Sequence, residues 1–309
     1  METKKSILVL GSDGLLGSAT KRSEYLNSNF YIHFSNRNEA ELTDLNQVEN
    51  LFKKIRPNIV INCAGKVGGI LANTQNQFEF LHENLKITLN IFEMMKSRKN
   101  LTLINFGSSA IYPKNASNPL KEEYLMTGEL ESSNASYSLS KIVGIELGKN
   151  IKINGNNVVN LIPSNLYGPN DNFDLKNSHV VPGLIAKLHN AKVNNDAVYT
   201  VWGSGSPLRE FLYVDDLVNA IEIIIKNKVS KYDVINIGGG EEISIKKLAE
   251  LIKKLVEFEG ELVFDSSKPD GINKKMLDSS LIKKESWIPR CDLQDGLEKT
   301  YDWYVSHND

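Results

Sequence analysis

Ile7-Leu8-Val9-Leu10-Gly11-Ser12-Asp13-Gly14-Leu15-Leu16-Gly17 is the stretch on which the rest of the chain depends. Four consecutive apolar residues make a strand covered on both faces, as in a parallel sheet. Glycines follow at once. Gly11 permits a tight turn, Gly14 lets the backbone approach a pyrophosphate, and Gly17 lets the next helix pack close to the sheet. That helix is expected to run to about Leu26, with N–H groups at its amino end free for phosphate oxygens. A glycine loop alone carries little weight. Placed directly after a first strand, it predicts a Rossmann-type, doubly wound parallel α/β fold that binds a dinucleotide.

The second strand, Phe30–Phe34, ends at Ser35-Asn36-Arg37. A free ribose diol usually meets a carboxylate here, whereas two small polar residues and a cation favour the 2′-phosphate of NADPH/NADP, with Arg37 as its partner. Asp44 either approaches the adenine or caps the helix at about 47–54. Ile59–Gly65 is the next strand, and Lys66-Val67-Gly68-Gly69-Ile70 lies at its carboxyl end, where open sheets bind ligands. A helix over 78–95 shows helical periodicity in Leu81, Leu85, Leu89 and Phe92, with His82 and Asn84 on its polar face. After a strand at Val158–Ile162 and the turn Pro163–Pro169, the chain becomes polar and then enters a helix over 182–190. This excursion reads as a substrate-binding insertion. Val214–Leu217 caps a helix to Lys226, and a short strand is expected at Leu262–Phe264. The expected division is a Rossmann domain over 1–166, also receiving about 211–240, and a smaller, mostly C-terminal α/β substrate domain of 167–210 and 241–309.

The chemistry gathers in residues 105–141. Gly107 ends an apolar strand, and Ser108 and Ser109 follow at the carboxyl edge of the sheet. Tyr137 and Lys141, four residues apart on a helix running to about Gly148, share one face. A Ser, a Tyr and a Lys beside a nicotinamide make a proton-transfer device for a carbonyl/alcohol couple. The hydroxyls grip the oxygen, and the ammonium favours tyrosinate and lowers its pKa.

Composition excludes other classes. At 309 residues with a net charge of -2, the chain carries no basic footprint for nucleic acid or a membrane surface. No apolar run reaches the ~18 residues of a membrane span, so a cytoplasmic protein is expected. Cys63 and Cys291 are too few for a disulfide framework, and Cys63 lies in an apolar run. The five histidines are scattered, which leaves no metal-ligand spacing.

The chain resembles the GDP-L-fucose synthase family of extended short-chain dehydrogenases/reductases over essentially its whole length. The marks are Lys66–Ile70, Gly107-Ser108-Ser109, Ile111-Tyr112-Pro113-Lys114, Asn165–Pro169, Asp171-Asn172-Phe173, Asn177–Val180, Val201–Gly205, Arg209-Glu210-Phe211 and Lys268-Pro269-Asp270-Gly271. The resemblance implies that Ser108 and Tyr137 bind the C4 oxygen of a GDP-linked 4-keto-6-deoxy sugar, with Tyr137 the proton donor. It makes Lys141 the holder of the nicotinamide ribose and His179 the acid that reprotonates a ring carbon. The isolated His179 also reads as a helix cap. Cofactor contacts are implied for Gly11, Gly14, Leu15, Gly17, Arg37, Asp44, Ala64, Gly65, Lys141, Pro163, Asn165 and Leu166. Substrate contacts are implied for Ser109, Asn165, His179, Val180, Lys187, Trp202, Arg209, Lys268 and Asp278. The helices over 78–95 and from Tyr137 supply the paired faces of a homodimer.

The chain departs from the family twice. The family has a basic residue directly after the first glycine, where this chain has Ser12, so recognition leans on Arg37. The family's epimerisation base is a cysteine two residues after the serine, and here that position is Ala110. Alanine takes no proton, and His179 on one face does not perform a two-sided inversion alone. The expectation is a C4 reductase whose 3,5-epimerase activity is weak or absent. Its substrate would be a hexose or a heptose of a bacterial surface polysaccharide. The alternative is the complete bifunctional enzyme, with Glu122 and Glu123 as sequence-near substitutes for the base.

Overall fold

The computed structural model describes residues 4–151, 155–268 and 270–308, so Pro269 of the expected ligand loop lies outside the described residues. The first half runs β1 (Ser6–Leu10), α1 (Leu15–Lys21), α2 (Glu24–Asn29), β2 (Tyr31–Ser35), α3 (Leu45–Ile55), β3 (Ile59–Asn62), α4 (Ile70–Gln75), α5 (Gln77–Lys96) and β4 (Thr102–Phe106). Next come α6 (Ala135–Asn150), β5 (Asn157–Pro163), β6 (Asn165–Tyr167), α7 (Val180–Val193), β7 (Val198–Trp202), β8 (Leu208–Tyr213), α8 (Val214–Lys226) and β9 (Val234–Ile237). The chain closes with β10 (Glu242–Ser244), α9 (Ile245–Val256), β11 (Glu261–Asp265), β12 (Lys274–Lys275), α10 (Ser280–Lys283) and α11 (Leu293–Asn308).

Among the described residues the main sheet has six strands in the order β2-β1-β3-β4-β5-β9, all parallel. Its apolar strands are covered on both faces. Ile7, Val9, Ile61 and Ile104 pack toward α1 and α8, whereas Leu8, Leu10, Val60 and Leu103 pack toward α3 and α5. The strand order reverses between β1 and β3, so the carboxyl ends of these strands open a crevice there. A second sheet joins β10, β8 and β12, with β6 also on β8, and β11 pairs with β7. α7, α9 and α11 cover this part around Leu184, Ile185, Leu248 and Ile252. The expected divisions at 166/167 and 210/211 fall inside β6 and β8. Ile282 and Trp287, from beyond residue 241, pack into the core of the main sheet.

Three local expectations are corrected. The helix expected through Leu26 breaks in two, because Ser23 caps α2 by accepting from the Leu26 N–H at 3.0 Å. The acidic pair at 215–216 does not cap α8, whose N-cap is Tyr213. Asp216 instead accepts the backbone N–H groups of Arg290 and Cys291, both at 3.0 Å, and Asp215 pairs with Arg22. Asn84 is not on a polar face. It is buried on the stripe of Phe80, Ile87 and Ile91.

Candidate active site

The glycine loop turns as its sequence requires. Gly11 has φ +72, and a Cβ there would stand 2.8 Å from the backbone of Ala64 at the end of β3. A Cβ on Gly17 would collide with the Gly11 carbonyl, which is the close helix approach expected of it. In front of Gly14 the nearest atom to such a Cβ is the Gly11 oxygen at 3.7 Å, and no side chain caps α1. The loop therefore leaves room for a pyrophosphate beside unpaired N–H groups, and its residues fit a dinucleotide. Leu15 opens α1. Arg37 is largely exposed and pairs with Glu41 at 3.1 Å. Asp44 caps α3, accepting from Asn46 N–H at 2.9 Å, so of its two readings the structure displays the cap.

β4 delivers Ser108 to the crevice, and its Oγ accepts the Ala110 N–H at 3.2 Å. Ser138 on α6 donates to the Ala110 carbonyl at 3.0 Å, which fastens this turn to the helix bearing Tyr137. The Ser108 hydroxyl is near enough to Tyr137 to favour the ionised phenol. Lys141 Nζ stands 5.7 Å from the Tyr137 ring centroid and lies over Gly65, 3.3 Å from where a Cβ would be. Burial pushes the phenol up to about 12, which the Ser108 hydrogen bond only partly offsets. This reverses the direction expected from a neighbouring ammonium. Burial also drives Lys141 down to about 8, so desolvation dominates both groups. A phenol protonated to that pH is a proton donor at neutrality.

Two loops form the opposite wall. Gly69 donates to the Asn177 carbonyl at 3.2 Å, joining the segment 66–70 to the segment leading into His179. Phe80 lies close to Gly68 and meets the Tyr137 ring edge-on at 6.3 Å, linking this wall to the phenol. His179 is the N-cap of α7, yet its imidazole makes no cap bond. The cleft crowds the ring, although part of it is open to water, and this lowers its proton affinity. Val180 begins α7, and Lys187 farther along it is half-buried. Trp202 at the end of β7 is exposed, with Lys268 Nζ 5.6 Å from its ring. Asn165 donates to the Glu210 carbonyl at 2.9 Å, Pro163 is the buried last residue of β5, Ser109 is buried, and Leu166 packs on the main core.

Asp278 lies just before α10, and its carboxylate accepts the Ser280 N–H at 2.9 Å. The carboxylate near Arg209 is Asp270, which accepts Ser204 N–H and Oγ, both at 2.7 Å. Two further residues were missed from sequence. Lys275 lies opposite Arg209 in the β12–β8 register, and burial beside that guanidinium drives it down to about 8. Asn84 holds the segment 66–70 by accepting the Lys66 N–H at 2.8 Å and donating to the Lys66 carbonyl at 3.0 Å. Its place on an apolar helical stripe was a readable signal. The cross-strand position of Lys275 was not. Among the described residues no group of His, Cys, Asp and Glu could hold a metal ion, and no helix is long and apolar enough to cross a membrane.

A glycine loop on a parallel sheet, a Ser-Tyr-Lys group at its crevice and a second sheet facing it define an enzyme of the extended short-chain dehydrogenase/reductase class. Residues 7–238 match the NAD dependent epimerase/dehydratase family. GDP-L-fucose synthase 1 of Arabidopsis thaliana is 42% identical over 302 residues, covering 97% of this chain and 93% of that protein. A GDP-6-OMe-4-keto-L-xylo-heptose reductase from C. jejuni is 32% identical with TM-score 0.91, over 100% of this chain and 99% of that one. A GDP-mannoheptose C4 reductase from Campylobacter jejuni, solved with NADP bound, is 33% identical with TM-score 0.87, over 99% of each chain. The chain belongs to the NAD dependent epimerase/dehydratase family, and within it to the GDP-L-fucose synthase group.

Proposed function

We propose that the protein is an NADPH-dependent reductase acting at C4 of a GDP-linked 4-keto-6-deoxy sugar, a hexose or a heptose, with 3,5-epimerisation weak or absent. NADPH supplies the hydride when bound. Ser108 and Tyr137 hold the carbonyl oxygen, and Tyr137 gives it a proton as C4 is reduced. The Lys141 ammonium holds the nicotinamide ribose and steadies the charge that grows on the phenol. Arg209 and Lys275, side by side on β8 and β12, face the diphosphate, and Trp202 lines the nucleotide end.

The observation that carries this reading is the pairing of a protonated Tyr137 with an inert Ala110 two residues beyond Ser108. Two observations weigh against the sequence-near substitutes for the base. Glu122 is half-buried and accepts the Asn236 N–H at 2.9 Å, and Glu123 is exposed. The complete bifunctional reading draws on the 42% identity to a fucose synthase, against 33% to a C4 reductase. The deciding experiment supplies NADPH and GDP-4-keto-6-deoxymannose in D2O. Cofactor oxidation without deuterium at C3 and C5 is expected. Deuterium at both carbons with GDP-L-fucose as product would establish the bifunctional enzyme instead.

The quaternary proposal is a homodimer through α5 and α6, which pack together and expose Phe78, Leu89 and Leu139. Its test is the molar mass in solution of the protein and of a Phe78→Glu variant.

A further inference from the structure

The end of β2 carries no carboxylate in sequence, yet the structure brings one there from the glycine loop. Asn36 donates its side-chain amide to Asp13 Oδ2 at 2.7 Å. The loop is pinned on both sides of this contact. Ser12 N–H donates to the Ser35 carbonyl at 3.0 Å, and Asn170 donates to the Asp13 carbonyl at 2.7 Å. The cations are not left over for a dianion. Lys21 Nζ lies 3.2 Å from Asp13 Oδ1, and Arg37 pairs with Glu41 at 3.1 Å. Each of these cations has a carboxylate beside it, although Lys21, Asp13 and Arg37 are all exposed and the pairs are weak. A 2′-phosphate carries about −1.5 to −2 charges at neutral pH and must displace these partners or lie beside Asp13. A free 2′-hydroxyl, by contrast, donates to a carboxylate at this edge of the crevice.

We infer that Asp13 sets cofactor choice and that the site takes NAD(H) in competition with NADP(H). The inference rests on the dinucleotide reading of the glycine loop. Discrimination is then a balance of two opposed features, the cations Lys21 and Arg37 against the carboxylates Asp13 and Glu41. Removing one carboxylate tips it.

The test is equilibrium titration of the whole protein with NADP+ and with NAD+, by calorimetry, for wild type, Asp13→Asn and Glu41→Gln. Wild type is expected to prefer NADP+ by no more than about ten-fold. Asp13→Asn should tighten NADP+ by about ten-fold while leaving NAD+ unchanged or weaker, and raised salt should shrink that gain. Glu41→Gln, which frees Arg37, should move the ratio the same way by a smaller factor. A wild-type preference above about a hundred-fold, or the same ratio in all three proteins, overturns the inference. If Asp13→Asn does not fold, the wild-type ratio and Glu41→Gln still decide it. Failure of both dinucleotides to bind would instead remove the cofactor reading, and this inference with it.

Discussion

Replacing Lys141 by methionine keeps most of the length of the side chain and removes its charge. In the proposed reduction the phenolic proton passes to the sugar oxygen, so negative charge grows on Tyr137, whose ring centroid is 5.7 Å from Nζ. At an effective dielectric of about 20, a full charge at that separation is worth about 3 kcal/mol. A partly developed charge in the transition state therefore costs roughly one to two decades of rate when the ammonium is lost. Stability should hold, because burial already disfavours the charged amine, driving it down to about 8. The assay is single-turnover oxidation of bound NADPH across pH, with the melting temperature as control. In wild type the protonated ammonium is the active form, so kcat/KM should be level near neutrality and decline above about 8. Lys141→Met should be roughly 10- to 100-fold slower at pH 7 and lack that decline. A variant within three-fold of wild type, or one that keeps the decline, would refute the assigned role.

Asn84→Ala strips the Lys66 N–H and carbonyl of their partner and should lower the unfolding free energy by about 2 kcal/mol. Urea titration reads this, and an unshifted midpoint counts against the clamp. Gly69→Ala places a Cβ 2.7 Å from the Ser178 carbonyl. It should separate the loop at 66–70 from the one bearing His179 and cut kcat/KM about ten-fold or more. Full activity would mean that this loop contact does not hold the site. Asp171, raised by burial to about 7, keeps its proton in the native state between about pH 4 and 7 while the unfolded chain loses it. Its stabilising contribution is thus present below about pH 4 and lost as pH rises through 7. Asp171→Asn should gain on the order of 2 kcal/mol at pH 8 and nothing at pH 4, and equal gains at both would contradict the assignment.

The first strand and its glycine loop were legible because their evidence is local: an apolar run and glycines at fixed offsets, in a setting where Gly11 needs a positive φ and Gly17 no side chain. Tyr137 and Lys141 were legible for the same reason, being one helical turn apart. The direction of their titration was not, since it follows from burial that the sheet and α5 create together. Non-local placement also hid the neighbours at the substrate end. Asp270 and Asp278 flank β12, and only the folded chain shows that Asp270 acts on Arg209 while Asp278 accepts from Ser280. Asp13 escaped notice because the ribose edge is built from two segments that meet only in space.

The two ends of the cleft handle charge in opposite ways, and the contrast says where binding free energy is concentrated. At the ribose end, Lys21 and Arg37 each rest against a carboxylate in an exposed, weak pair. At the other end, Arg209 and Lys275 are held side by side on adjacent strands, half-buried, each disfavouring the other's charge. Burial, with the Arg209 charge second, lowers Lys275 to about 8, and Glu131 offsets this only in part, while Asp270 supports the charge on Arg209. An arrangement strained in this way is relieved by a dianionic group bridging both cations, and a diphosphate has the charge to do so. On the proposed function, binding free energy would then be concentrated in the sugar nucleotide, with the dinucleotide held more by the backbone of the glycine loop.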